Sequence, residues 1–475
     1  MDENPHQSNK LDEHSIDSYI NFVRDKSKDI NKISPTFCAA KWMQSTILLY
    51  NGQTHSCHHP SRHNITLDDI KDNPKGIHNT AIKIHARKEM LEGIQTAECD
   101  YCWKIENLNK DHISDRIYKS TYSWSLPYIN SIVDSGGGED IDPTYVEVAF
   151  DSTCNFKCIY CSPVSSSKWQ EEIESHGPIK LTNTNLHNIK WLKDTNQLPI
   201  PNKEYNPYID SFWKWWPELY PKLHTFRITG GEPLLSKHLW GVFDYIKEHP
   251  NKNLILALNT NLNAPDKLVD RMIENINAIS DNINYVDVYT SLESTGEHAE
   301  YTRFGMNYEE FLNNCTKVLD NTPEKTRLHF MTTINVLSAP TFKDFLKLIK
   351  TLREKYKKGK HDFRVRTHLS FLRWPQCLQI SLLSNNDKAK YSKEWLDFMN
   401  ENMLTTDKNN TETFYLEEVD QLNRLIDYMN NTKEEPHIYD DFRQYIAQCD
   451  SRRNVDFIDS FPELNYLMED DYYGK

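Results

Sequence analysis

Strand-like and helix-like runs alternate through the middle of the chain. Runs rich in apolar and β-branched residues at Tyr145–Phe150, Thr225–Thr229, Leu254–Asn259, Val286–Ser291, Leu328–Val336 and Val365–Leu372 read as six strands. Between them, helical patterns lie over Leu239–Glu248, Pro265–Asn275, Tyr308–Leu319 and Thr341–Tyr356. This alternation argues for βα units and a parallel sheet. One long insertion, 162–223, separates the first two strands and carries Trp169, Trp191, Trp213, Trp215 and Trp216. An aromatic set of that size reads as core or interface.

The flanks have other patterns. Residues 1–33 are polar, with Ile16, Tyr19, Ile20 and Val23 at the spacing of one helix face. Phe37-Cys38, Trp42 and the apolar run Thr46–Tyr50 follow, and Asn51-Gly52 predicts a hairpin turn. A helix is expected from Asn79 to Glu92, stopped by Gly93. The glycine-rich run Asp134–Asp140 reads as a hinge. Beyond 375 the pattern turns helical and acidic, at Asn386–Met399, Glu417–Met429 and Asp440–Ala447. The expected plan is therefore a polar segment 1–33, a cysteine-rich module 34–134, a linker 135–144, a βα domain 145–375 and a helical extension 376–475.

Composition narrows the function classes. At 475 residues the chain is long enough for two or three domains. A formal net charge of -14 argues against a nucleic-acid-coating protein. The start, Met1-Asp2-Glu3-Asn4-Pro5, does not resemble a signal peptide, and no apolar run reaches the length of a membrane span. Seven of the ten cysteines fall into two groups with metal-like spacing, so reduced thiols serving as ligands are expected rather than disulfides. A cytoplasmic protein without membrane or nucleic-acid partners follows as the expectation.

The first group, Cys154-x3-Cys158-x2-Cys161, directly follows the first βα-domain strand. Short-spaced thiolates of this kind hold iron–sulfur clusters. Three ligands leave one metal corner open, as catalytic metal sites do. The bland alternative is a zinc loop or clustered buried thiols. The second group, Cys38, Cys57, Cys99 and Cys102, suits either an iron–sulfur cluster or tetrahedral zinc, with His58 and His59 adjoining Cys57. Cys315 falls among apolar helix positions, Cys377 reads as a buried thiol or a hydrogen-atom donor, and Cys449 has no assigned role.

With Tyr160 just before its last cysteine, the first group resembles the signature of the radical S-adenosylmethionine (radical SAM) enzymes. The resemblance implies a partial (β/α)6 barrel whose [4Fe-4S] cluster, held by Cys154, Cys158 and Cys161, cleaves S-adenosylmethionine to a 5′-deoxyadenosyl radical. That radical then abstracts hydrogen from a substrate. Gly230-Gly231-Glu232, after the second strand, is similar to the family's methionine-ammonium motif. Two glycines let backbone approach a ligand, and a carboxylate meets its cation. Ser291 and Glu293 in Tyr289–Ser294 resemble the family's Ser-Leu-Asp-Gly element, with Glu for Asp and Ser for Gly. Arg303 stands where the family places an arginine for the methionine carboxylate, and Asn335 where ribose or adenine is met.

The cysteine-rich module resembles the twitch module, a shortened SPASM-like carrier of an auxiliary cluster. The matching pieces are Phe37-Cys38 with Trp42, Asn51-Gly52 ahead of Cys57, and Cys99-x2-Cys102-Trp103 with Glu106 and Arg116. Here it precedes the barrel, whereas in the family it usually follows. The resemblance further implies an electron donor such as a flavodoxin or ferredoxin, and a substrate that in this group is often a peptide or protein. The competing class is a non-catalytic binding protein stabilised by zinc or iron–sulfur sites.

Overall fold

The computed structural model describes residues 13–108, 113–136, 140–357, 364–403 and 413–474. The chain is α/β, with a mostly parallel central sheet. It divides into two compact units, each built from several stretches of sequence.

The first unit holds residues 1–151, 199–258 and 279–286. Its strands are β1 (Gln44–Leu48), β2 (Gln53–His55), β3 (His63–Asn64), β4 (Tyr145–Ala149), β5 (Thr225–Thr229) and most of β6 (Asn251–Asn259), in the order β3-β2-β1-β4-β5-β6. β1 and β2 form the hairpin expected at Asn51-Gly52, with Thr46 opposite His55 and Gly52 at φ +69°. β1 then runs parallel to β4, Gln44 facing Tyr145 and Leu48 facing Ala149. The strand of the cysteine-rich segment is thus continuous with the βα sheet. β4 and β5 are also parallel, Ala149 opposite Thr229, and Val146, Val148, Phe226 and Ile228 seal the interior. The expected helix after β3 runs Ala81–Leu91, its first turn capped by Thr80, and Gly93 follows at φ +81°. The hinge expected at 134–140 falls partly outside the described residues. Trp215 and Trp216 of the helix Pro207–Leu219 are core, where Trp216 packs on Phe226, Tyr220 and Tyr245.

The second unit holds residues 152–198, 259–278 and 287–475. It carries the C-terminal half of β7 (Ile283–Ser291), then β8 (Thr326–Met331) and β9 (Val365–His368), with β8 and β9 parallel. All six expected βα strands exist, but the last two end early. The run expected as Leu328–Val336 leaves the strand at Met331, and Val365–Leu372 leaves it at His368. Asn335 explains the first: it caps the short helix Val336–Thr341, accepting from Leu337 N at 3.0 Å. The helices Asp266–Ile279, Tyr308–Asn321 and Phe342–Tyr356 match the pattern; Asn307 caps the second, accepting from Glu310 N. The C-terminal helices Asn385–Glu401, Leu416–Asn431 and Pro436–Arg453 complete this unit. Trp169 is fully buried in it, whereas Trp191 stands 56% exposed.

Candidate active site

Cys154, Cys158 and Cys161 are half-buried thiols, none of them in a disulfide, on the loop that follows β4. The loop is tight because its backbone is tied on several sides. Cys161 N donates to Cys158 O at 2.9 Å, Ile159 N to Thr302 O at 2.7 Å and Cys154 N to Ser167 Oγ at 3.1 Å. Lys157-Cys158 pairs antiparallel with Arg303-Phe304, so Arg303 lies directly opposite Cys158. Gly305, at φ +108°, lets the loop close: a Cβ there would meet Asn155 O at 2.9 Å.

Behind the loop stands a second layer. Trp169 Nε1 donates to Cys158 O at 2.8 Å, and the Tyr445 hydroxyl donates to Ile159 O at 2.6 Å. Glu172 joins Lys157 and Arg453 in a buried network, and Arg453 stacks over the Trp169 ring. Glu172 and Tyr445 carry no family motif, whereas Trp169 belongs to the tryptophan-rich insertion.

Arg303 is the hub of the site. Its Nη2 donates to Glu293 Oε2 at 2.5 Å, its Nη1 lies 3.9 Å from Cys158 Sγ, and its guanidinium covers the Tyr160 ring at 5.4 Å. The Tyr160 hydroxyl donates to Glu293 Oε1 at 3.0 Å. Arg303 is 5% exposed and Glu293 is fully buried, so this is an interior ion pair rather than a surface one. Burial opposes the arginine's charge, but Glu293 outweighs it and holds the guanidinium above its ordinary range. Burial also raises the Cys158 thiol and pushes Cys161 up to about 12. Arg303 Nε is buried and lacks a hydrogen-bond partner. Ser291 ends β7 half-buried. Asn335 has no exposed surface, and its amide is used in the cap and in a bond to Thr333 O.

The Gly230-Gly231-Glu232 turn lies in the first unit, directly after β5. Gly230 sits at φ +128°, and a Cβ there would meet Asp151 O at 2.5 Å; Gly231 N donates to the same oxygen. Only glycine fits so close a backbone crossing. Glu232 is 1% exposed and accepts from Leu234 N at 2.9 Å. Asp151 also edges an open cleft of about 530 Å³, lined by Phe150, Tyr205, Trp213, Lys237 and His238. The Phe150 ring stacks on both Trp213 and His238.

The family model described as Radical SAM superfamily matches residues 150–352, which begin at the end of β4 and run through the loop, the glycine turn and Arg303. Residues 150–352 are a radical SAM domain. No curated protein matches the chain. A radical SAM domain implies a [4Fe-4S] cluster, S-adenosylmethionine with a reductant, and reductive cleavage of that molecule at the cluster. No described helix is long and apolar enough to cross a membrane.

Outside the radical SAM domain, in the first unit, Cys38, Cys57, Cys99 and Cys102 all line one small cavity of about 20 Å³. Cys38 precedes the short helix Ala40–Met43, Cys57 follows β2, and Cys99 and Cys102 flank the start of the helix Asp100–Leu108. Burial pushes Cys38 up to about 12 and Cys102 up to about 11. Three cations share the lining: Lys41, paired with Glu98, Arg116, bonded to Glu106 through two nitrogens, and Lys119. Phe37 stacks on Trp42. His59 contacts Asp115 at 2.6 Å and stacks on Tyr101, while His58 is exposed. Among the described residues, no three Cys, His, Asp or Glu side chains converge closely enough for a single metal ion. Cys315, Cys377 and Cys449 are buried, and burial raises all three thiols.

Proposed function

We propose that this protein is a radical SAM enzyme acting on a peptide or protein. Cys154, Cys158 and Cys161 hold the cluster. Gly230, Gly231, Glu232, Ser291, Glu293 and Arg303 hold S-adenosylmethionine, and Tyr160 orders the last two of these. The observation that carries the reading is Arg303: buried, charged, in reach of Cys158 Sγ and with an unpartnered Nε. A buried donor without a partner costs about 1–3 kcal/mol, and a bound carboxylate would relieve that cost.

A [4Fe-4S] cluster held by Cys154, Cys158 and Cys161 would supply the one-electron reduction that cleaves S-adenosylmethionine. The chain's own contribution is position and dryness. Trp169 and Tyr445 fix the loop backbone, and the Glu293–Arg303 pair keeps a charged donor aimed at the ligand without solvent. The peptide or protein class is supported by the aromatic-walled cleft of about 530 Å³ beside Asp151.

The cavity lined by Cys38, Cys57, Cys99 and Cys102 we assign to an auxiliary iron–sulfur cluster of twitch type. Four thiols lining one cavity, with three cations beside them to balance an anionic group, support this reading. The competing reading, a zinc-stabilised binding protein, makes a different prediction at the bench. Anaerobic reconstitution followed by iron and zinc analysis, electron paramagnetic resonance and assay with dithionite separates the two. The enzyme reading expects iron at both thiol groups and 5′-deoxyadenosine from S-adenosylmethionine. Zinc in both groups, without 5′-deoxyadenosine, would reject it.

A further inference from the structure

His238 stands in the cleft beside Asp151, six residues beyond Glu232 and outside every family motif. It is the second residue of the helix Lys237–Glu248 and is half-buried. The cleft, of about 530 Å³, is lined entirely from the first unit: by the end of β4, by the segment 200–213 and by the turn that opens this helix. The His238 ring stacks on Phe150 at 5.1 Å, and Trp213 stacks on the same phenyl ring at 5.8 Å. The Trp213 indole Nε1 donates to His238 Nδ1 at 3.1 Å. Trp213 itself is set edge-on against Phe212 and Trp216, both buried. On the rim, Tyr205 is 75% exposed and is held by its hydroxyl bond to Asp210 Oδ2 at 3.0 Å.

The Trp213 bond decides what the imidazole offers. An indole N–H only donates, so Nδ1 keeps its lone pair and the proton of the neutral ring sits on Nε2. A second proton would put a donor on Nδ1 against the indole donor and break the bond. Burial and the neighbouring Lys237 ammonium also oppose the charged ring, and Asp151 favours it. The charged groups around His238 are Lys237 on its own helix, Asp151 at the end of β4, and Glu204 and Asp210 from the segment 200–213, with Asp210 also paired to Lys214. Nε2 has no hydrogen-bond partner among the described residues, yet it is not sealed from solvent. The ring therefore gives the cleft an N–H and withholds its lone pair: it is a donor and not a base. Three carboxylates against one lining ammonium set the cleft against anionic ligands.

We propose that the cleft takes a neutral amide of the substrate, with His238 Nε2–H donating to its carbonyl oxygen and Trp213 as the positioning residue that fixes the ring. A peptide meets each feature of the cleft. Its carbonyl is a strong acceptor without charge, and apolar side chains beside it can pack on Trp213 and Tyr205. A carboxylate or phosphate would instead face Asp151, Glu204 and Asp210 as like charges. A sugar hydroxyl is a weaker acceptor than an amide oxygen. The site serves recognition, and no bond forms or breaks in it. The assignment rests on the reading of this chain as an enzyme of peptides or proteins, and narrows the substrate to one that presents an amide beside an apolar side chain.

The test uses the anaerobically purified full chain, labelled with nitrogen-15 histidine, and N-acetylphenylalaninamide as the probe. Proton–nitrogen correlation spectra read each histidine's tautomer, and the signal lost in His238→Phe identifies His238. Wild type is expected to hold the Nε2–H form and to titrate below the ordinary 6.5, with Trp213→Phe moving the midpoint up. Should Trp213→Phe fail to fold, the wild-type tautomer alone decides the indole bond. The probe should shift the His238 Nε2 signal saturably. Its dissociation constant, followed on its own ring protons, should rise about five-fold in His238→Phe, the worth of one neutral hydrogen bond. His238→Gln, which carries an N–H donor, should recover most of that loss. An Nδ1–H tautomer in wild type, a midpoint unmoved in folded Trp213→Phe, or no response to the probe would overturn the proposal. So would an equal or stronger response to methyl glucoside or to N-acetylphenylalanine. Formation of 5′-deoxyadenosine is measured on the same preparation: its absence removes the enzyme reading and leaves the amide site as found.

Discussion

Arg303 binds together a strand end, an aromatic and a thiol, so its removal has two separable effects. Arg303→Ala leaves Glu293 buried without its counter-charge, a change that costs about 3–5 kcal/mol. Urea denaturation of the metal-free protein should show that loss, and equilibrium dialysis of the loaded protein should show weakened S-adenosylmethionine binding. A second residue-scale outcome concerns acid. Burial on β8 holds the folded pKa of His329 at about 4, below the ordinary value of 6.5. Between those values the unfolded chain takes a proton that the folded chain refuses, so stability falls as pH drops from about 6.5 towards 4. Thermal melts across that range should lose midpoint temperature in wild type, and less so in His329→Gln. Of these residues the motifs exposed Arg303 and Glu293, because each follows a strand at a family spacing. Their mutual bond was not legible, nor were the contacts that join Asp287 to His329 and His329 to His368. These three lie about 40 residues apart along the sequence, and only the sheet register brings them together.

At the scale of elements, the strand pattern was legible because apolar runs alternate with amphipathic helices at lengths only a βα repeat explains. The end of β8 was not, since Thr332, Thr333 and Ile334, between Met331 and the polar cap at Asn335, are all β-branched and read as strand. The glycine turn after β5 was legible as a motif, but its reason is steric. Gly230→Ala forces a Cβ to within 2.5 Å of Asp151 O in a backbone region that L residues avoid. Strain of this kind costs on the order of 1–3 kcal/mol. The variant should melt lower and bind S-adenosylmethionine less tightly, while iron at the cavity lined by Cys38, Cys57, Cys99 and Cys102 stays at the wild-type level. The buttress behind the thiol loop was invisible in sequence. Tyr445→Phe removes one hydrogen bond to Ile159 O, which is worth about 1 kcal/mol. Slower iron loading at the loop, followed by absorbance during reconstitution, is the expected result.

Across the whole molecule, two thiol groups stand in separate settings and should respond separately. Cys158→Ala is expected to abolish 5′-deoxyadenosine formation and to remove the iron of one cluster. Iron analysis and electron paramagnetic resonance should retain the second signal. Chelation of the variant should then empty only the site between Cys38, Cys57, Cys99 and Cys102. That the chain divides into two units made of interleaved stretches could not be read from sequence, because β1 joins β4 in parallel across nearly a hundred residues.

The clasp of Tyr445 on Ile159 has a consequence for biosynthesis. The two residues are 286 positions apart, and Arg453 is still further from the loop it backs. At roughly 5–20 residues per second of translation, the three thiols leave the ribosome some tens of seconds before their clasp exists. Until then the loop is a set of exposed, oxidisable sulfurs. Iron–sulfur delivery must therefore either wait for the released chain or meet a nascent one whose thiols a carrier already shields.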